Sequence, residues 1–257
     1  RKEHPEARLI VPFGINELQS GISEADFQNR MRDFLYERDL FGIASPLQND
    51  SLFFGKDRSN VISELYGKYK QGEQGGLFGL RRIGKTSVLN LLQLKIEQDN
   101  GVSIYFDCSR FHHQRWNDFL REIVKAIVHK YSGRDFDENE TYLKDKVELG
   151  NMEQRYTEKQ AELSFEEDIV ALYRALGNKR ILLVFDEIEN ISHTTSPSLH
   201  WKEGNDALFF WQVLRAIIQT NNELFSFIIA GVNPKCVESS SINGCDNPIF
   251  GIFGPIY

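Results

Sequence analysis

Residues 79–86 read Gly-Leu-Arg-Arg-Ile-Gly-Lys-Thr, a complete G-x-x-x-x-G-K-T pattern. It lies between a short apolar stretch, Leu77-Phe78, and a helix-like run from Ser87 to Gln98. A strand, a glycine-bearing turn and a helix start in that order aim backbone N–H groups and the positive helix end at one point, which suits phosphate. Gly79 and Gly84 permit backbone conformations and close approach that a Cβ would obstruct. Lys85 is placed to reach terminal phosphates, and the Thr86 hydroxyl to ligate Mg²⁺. The expected nucleotide-binding residues of the loop are Gly79, Arg82, Ile83, Gly84, Lys85, Thr86 and Ser87. Arg81 and Arg82 have an open alternative: they point to solvent or contact a partner domain.

A second motif, Ile181-Leu182-Leu183-Val184-Phe185-Asp186-Glu187, is an uninterrupted apolar run ending in two acids. The carboxyl end of a buried strand is where open α/β sheets bind ligands. Asp186 there would hold Mg²⁺, and Glu187 would act as general base toward water. A strand that simply ends in two solvated acids is common. Its pairing with a full phosphate loop in one chain favours the catalytic reading. Glu189 is expected to be exposed, with a further polar contact as the alternative.

From Leu52 onward strands and helices alternate. Apolar positions recur at helical spacing along 116–131 and 206–220, and continuous apolar runs occupy 102–106, 181–185 and 225–230. Continuous apolar strands between helices imply a parallel sheet covered on both faces. Ser164-Phe165-Glu166-Glu167 reads as a capping box opening a helix that stops at Gly177. Residues 133–163, highly charged, read as a partly helical surface insertion whose charge run is a solvated face, and 192–204 as a loop. Upstream, 7–13 resembles a strand, and Phe27, Met31, Phe34 and Leu35 mark an amphipathic helix. Turn chemistry across 41–50 sets a boundary between an N-terminal extension, 1–49, and a core, 50–257.

The composition fits a folded soluble protein of 257 residues, 41% hydrophobic and 26% charged. No run approaches a membrane span and no signal peptide is visible, so a cytoplasmic setting is expected. Thirty basic against 37 acidic residues argue against a broadly basic nucleic-acid surface. Cys108, Cys236 and Cys245 lack metal-ligand spacing. They read as reduced thiols, with a Cys236–Cys245 bridge as the alternative. His112-His113 show no acid or nucleophile partner, and the three tryptophans read as core or interface aromatics.

With Gly-Leu-Arg-Arg-Ile-Gly-Lys-Thr-Ser, the strand ending Asp186-Glu187, and Phe54-Gly55-Lys56-Asp57-Arg58, residues 50–257 resemble the STAND-class P-loop ATPases. These are AAA+-related signal-transduction ATPases, akin to archaeal-type and origin-recognition ATPases. The resemblance implies a three-layer α/β/α P-loop NTPase fold with a mainly parallel sheet in the order 5-1-4-3-2. An extra strand then separates the loop strand from the acidic strand, and a glutamate follows the strand aspartate. It implies ATP/ADP and Mg²⁺ as ligands, adenine contacts from Phe54 and Gly55, and Asn233 as a γ-phosphate sensor. Asn233-Pro234 as a plain turn is the alternative.

Such proteins continue into a helical lid and winged helix bearing a further sensor, whereas this sequence ends at Tyr257 and opens without Met. It therefore reads as a fragment, expected to act with C-terminal sensor and N-terminal effector domains and to form homo-oligomers on activation. No arginine finger is assignable, Arg215 being only a helix residue of suitable chemistry. The expected function is an ATP-binding, ATP-hydrolysing switch in bacterial defence or stress signalling, slow in turnover when alone. The rivals are a nucleic-acid-dependent motor or loader, a non-catalytic nucleotide-holding scaffold, and a small-molecule kinase.

Overall fold

The computed structural model describes residues 56–131 and 151–256, with Ile15, Gly21, Ser23, Glu24 and Phe27 before them. Two compact units, Arg1–Pro46 and Leu47–Tyr257, divide the chain, and the second carries the architecture below. The expected strand at 7–13 and most of the amphipathic helix lie outside the described residues.

Five parallel strands form the sheet: β1 (Gly75–Phe78), β2 (Val102–Asp107), β3 (Ile181–Asp186), β4 (Phe225–Gly231) and β7 (Gly254–Ile256). Their order across the sheet is β2-β3-β4-β1-β7. Counting β7 as the fifth sheet strand, this is the expected 5-1-4-3-2. Strand β4 lies between β1 and β3, with Phe78 opposite Gly231 and Phe185 opposite Ile229.

Strand β3 explains why both faces are covered. All six of its residues are buried, and the side chains of the first five alternate between two clusters. Leu182 and Val184, with Ile228 and Ala230, pack with Leu65, Leu89, Leu92 and Ile96 from helices α1 (Lys56–Gln71) and α2 (Lys85–Gln98). Leu183 and Phe185, with Phe227 and Ile229, pack with Phe119, Phe165, Phe210 and Trp211. These come from α3 (Trp116–Tyr131), α5 (Ala161–Ala175) and α7 (Asp206–Thr220). The result is a three-layer α/β/α sandwich. The Phe119 and Phe210 rings stack 5.0 Å apart at its centre, and all three tryptophans are buried.

Three local expectations are corrected. Ser164 does not cap a helix: α5 begins at Ala161, and the Ser164 hydroxyl donates to the Arg155 carbonyl. The charged stretch is not all solvated surface. A single turn, α4 (Met152–Arg155), buries Met152 and, just after it, Tyr156, whose hydroxyl donates to buried Asp168 at 2.7 Å. Few apolar residues flank these two, so periodicity alone gave no signal; residues 132–150 are outside the described set. The loop at 192–204 contains one helical turn, α6 (Leu199–Lys202). After β4, a short α8 (Lys235–Glu238) leads into a hairpin of β5 (Ser241–Ile242) and β6 (Cys245–Asp246), turning at Asn243-Gly244. All three cysteines are free thiols. Among the described residues no helix is long and apolar enough to cross a membrane.

Candidate functional site

The phosphate loop starts where β1 ends. The Gly79 N–H donates to the Gly231 carbonyl at 3.1 Å, tying the loop to the end of β4. Gly84 then caps α2 at φ 95°, a left-handed conformation that a Cβ disfavours. This turn brings Lys85 and Thr86 into the first turn of α2, so the helix opens two residues earlier than Ser87. A helix start in this position is a ready site for an anion, through its backbone N–H groups and the positive end of its dipole. The Lys85 ammonium, 7% exposed, donates to the carbonyls of Gly79 and Leu80 at 2.9 and 3.0 Å. At the crest of the loop Leu80, Arg81, Arg82 and Ile83 are exposed, with Arg82 at φ 65°.

Strand β3 delivers the acids. Although β4 separates β3 from β1, α2 reaches across, and the Thr86 hydroxyl donates to Asp186 Oδ2 at 2.7 Å. Asp186, 2% exposed, is also held by the Tyr105 hydroxyl from β2 at 2.8 Å, on the same oxygen. Burial first, then the adjacent Asp186 carboxylate, push the Tyr105 phenol well above its ordinary range, so it remains a neutral donor. Asp186 Oδ1 accepts the Glu187 N–H at 2.9 Å.

Glu187 sits at φ 54°, ψ 45°, a left-handed conformation that costs a non-glycine residue about 1–2 kcal/mol. A 3₁₀ turn, Ile188–Ile191, follows it, and the Asn190 backbone and side-chain N–H groups both hold the Glu187 carbonyl at 3.0 Å. Burial raises the Glu187 carboxyl above its ordinary 4.5, and the like charges of Asp186 and Glu189 add to the rise. Lys85 and Arg81 oppose it.

Glu189 takes the alternative reading, a further polar contact, and not the exposed one expected first from sequence. It is half-buried, and its Oε1 accepts the backbone N–H groups of Val232 and of Asn233, the latter at 3.2 Å. Asn233 itself is exposed, and its side-chain oxygen accepts the Lys235 N–H at 3.0 Å, the turn that Asn-Pro chemistry provides. Phe54 and Gly55 lie outside the described residues. Arg215 donates to the Pro248 carbonyl at 2.9 Å. Behind the Asn233 loop a cleft of about 550 Å³ is lined by Glu189, His193, Asn233, Lys235 and Cys236, among others. No phosphate-loop residue borders it, so the chemistry is not placed there.

The structure thus brings Lys85, Thr86, Asp186 and Glu187 to one end of the sheet. The Thr86 hydroxyl and the Asp186 carboxylate converge as hard oxygen donors, a set suited to Mg²⁺ shared with phosphate oxygens. Tyr105 went unseen in the sequence, and Glu189 stood there only as an alternative polar contact. A tyrosine within an apolar run reads as strand filling, and each partner is fixed only by sheet order.

This sheet order, with a phosphate loop after β1 and an acidic pair closing β3, defines a P-loop α/β domain of the AAA+ type. Residues 71–237 match the family model described as AAA domain, and the chain belongs to that family. No curated protein matches the chain. Among solved structures, the Orc1 protein of Aeropyrum pernix in complex with DNA is similar at 17% identity and a TM-score of 0.41. The similarity covers 78% of this chain and 45% of that one, so this chain spans less than half of that protein's length. A likeness so distant carries no argument about function.

Proposed function

We propose that the domain binds ATP and hydrolyses it to ADP and phosphate. The observation that carries this reading is the 2.7 Å contact between Thr86 Oγ1 and Asp186 Oδ2, which joins residues 100 apart at the mouth of the phosphate loop. The loop N–H groups and Lys85 would bind the β- and γ-phosphates. Mg²⁺ held by Thr86 and Asp186 would neutralise charge developing on the phosphates. Glu187 would accept the proton of the attacking water as the water oxygen bonds to the γ-phosphorus and the β–γ bridge breaks toward ADP.

The module is further read as the nucleotide switch of a multidomain STAND-type signalling protein, with defence as its setting. Supporting a partner that closes over the nucleotide, the loop crest presents Leu80 at 74% and Ile83 at 44% exposure beside two arginines. Acidic net charge weighs against a nucleic-acid motor, so added duplex DNA is expected to leave turnover unchanged.

Calorimetry with Mg-ATP and a phosphate-release assay test the core of this reading. Lys85→Ala should abolish binding. Glu187→Gln should bind normally and lose turnover by roughly 10²–10⁴-fold, the usual contribution of a positioned base. Absent binding by the wild-type chain, or binding indifferent to Lys85→Ala, would overturn it.

A further inference from the structure

Glu189 lies two residues beyond Glu187, yet its carboxylate turns to the end of β4. Oε1 accepts the backbone N–H groups of both Val232 and Asn233, and Oε2 is buried without a hydrogen-bond partner. Its main chain is fixed too, since the Thr195 hydroxyl donates to the Glu189 carbonyl at 2.8 Å. The segment it grips starts at Gly231, where a Cβ would come within 2.8 Å of Ile188 Cγ2 and 2.9 Å of Glu189 Oε1. Glycine is what lets the end of β4 settle directly onto the 3₁₀ turn. The Gly231 carbonyl in turn receives the Gly79 N–H. A continuous chain of contacts therefore runs from the turn bearing Glu187, through Glu189, to the Asn233 loop and on to the first residue of the phosphate loop.

From this chain we infer that Glu189 is a positioning residue, clamping the 231–233 loop to the Glu187 turn so that base, Asn233 and phosphate loop move as one body. A glutamate suits the task because its length lets one side-chain oxygen reach both N–H groups at once. Remove it, and two backbone donors at a half-buried strand end lose their partner. Asn233 then loses its fixed height above the sheet, since its own side chain is spent on Lys235. The clamp acts through acceptor geometry and reach. It does not transfer a proton.

The catalytic part of this inference rests on the ATP-hydrolysis reading; the clamp itself does not. Amide hydrogen exchange, Mg-ATP affinity and kcat, measured on Glu189→Ala, Glu189→Gln and Glu189→Asp, separate the two. Glu189→Ala should speed exchange at Val232 and Asn233 at least tenfold. Its kcat should fall roughly ten- to hundredfold with the Kd for Mg-ATP changed less than threefold. Glu189→Gln keeps the acceptor oxygen and the length, and should restore protection and most of the turnover. Glu189→Asp keeps the charge but is one methylene short, and should behave like Glu189→Ala; it also serves should the alanine variant fail to fold. Unchanged exchange at 232–233 in both shortened variants would overturn the clamp. Glu189→Gln as inactive as Glu189→Ala, with protection intact, would overturn it in favour of a charge role. If the wild-type chain does not hydrolyse ATP, the hydrolysis reading falls and the exchange data alone decide the clamp.

Discussion

Glu187 holds a carboxylate in a left-handed turn beside Asp186, so its titration reports directly on the site. A base must be deprotonated to act, and its carboxyl lies above the ordinary 4.5 because of burial and then neighbouring acids. The acid limb of kcat/KM, which reports the free enzyme, should therefore lie above the range of a solvated glutamate. Arg81 is one of two cations opposing that rise, so Arg81→Ala should move the limb to still higher pH. A pH–rate profile of both proteins checks the sign; a limb moving down would contradict it. At this scale the sequence revealed Lys85, Thr86, Asp186 and Glu187, because each sits in a short pattern whose chemistry is local. It concealed Tyr105 and the partners of Glu189. These contacts join residues 81 and 43–44 apart, and neither has a spacing.

Elements were legible where hydrophobic period was clean, as in α3 and α7, whose bounds match the periodic runs. They were misplaced where a side chain served another purpose. Ser164 has the chemistry of a cap, but tertiary contacts bury Ala161 and Phe165 and extend α5 upstream, leaving the hydroxyl to the Arg155 carbonyl. Helix α7 shows the same dependence on distant partners. Its first residue, Asp206, is almost wholly buried and accepts from Arg115 Nε and Nη2 at 2.8 and 3.0 Å and from the Trp116 N–H at 3.1 Å. It thereby pins the starts of α3 and α7 together. Asp206→Ala should destabilise the fold by about 1–3 kcal/mol, mainly through the orphaned Trp116 N–H, as half-exposed Arg115 can turn to water. Urea unfolding measures this. A change within 0.5 kcal/mol, the scale of ordinary surface substitutions, would refute the pinning role.

Across the whole molecule, ligand binding and stability are linked, because the site joins loops from β1, β3 and β4. Mg-ATP at a hundredfold excess over its Kd should stabilise the folded state by about 2.7 kcal/mol. For a domain of this size that raises Tm by roughly 5–10 °C. Glu187→Gln should retain the shift and Lys85→Ala should lose it, which thermal melts with and without nucleotide would show.

By itself the sequence determined the layers and marked the candidate reacting groups. Apolar continuity decides that strands are buried on both faces, and short motifs place a lysine and a hydroxyl at a helix start and two acids at a strand end. Sheet order was reached only by resemblance, since nothing in local spacing says that β4 inserts between β1 and β3. Tertiary structure alone decided that Thr86 crosses over to Asp186, that Tyr105 shares the same oxygen, and that Glu189 faces inward to grip the Asn233 loop. Those contacts depend on which strands are neighbours, and neighbours are chosen by the packing of the entire sandwich.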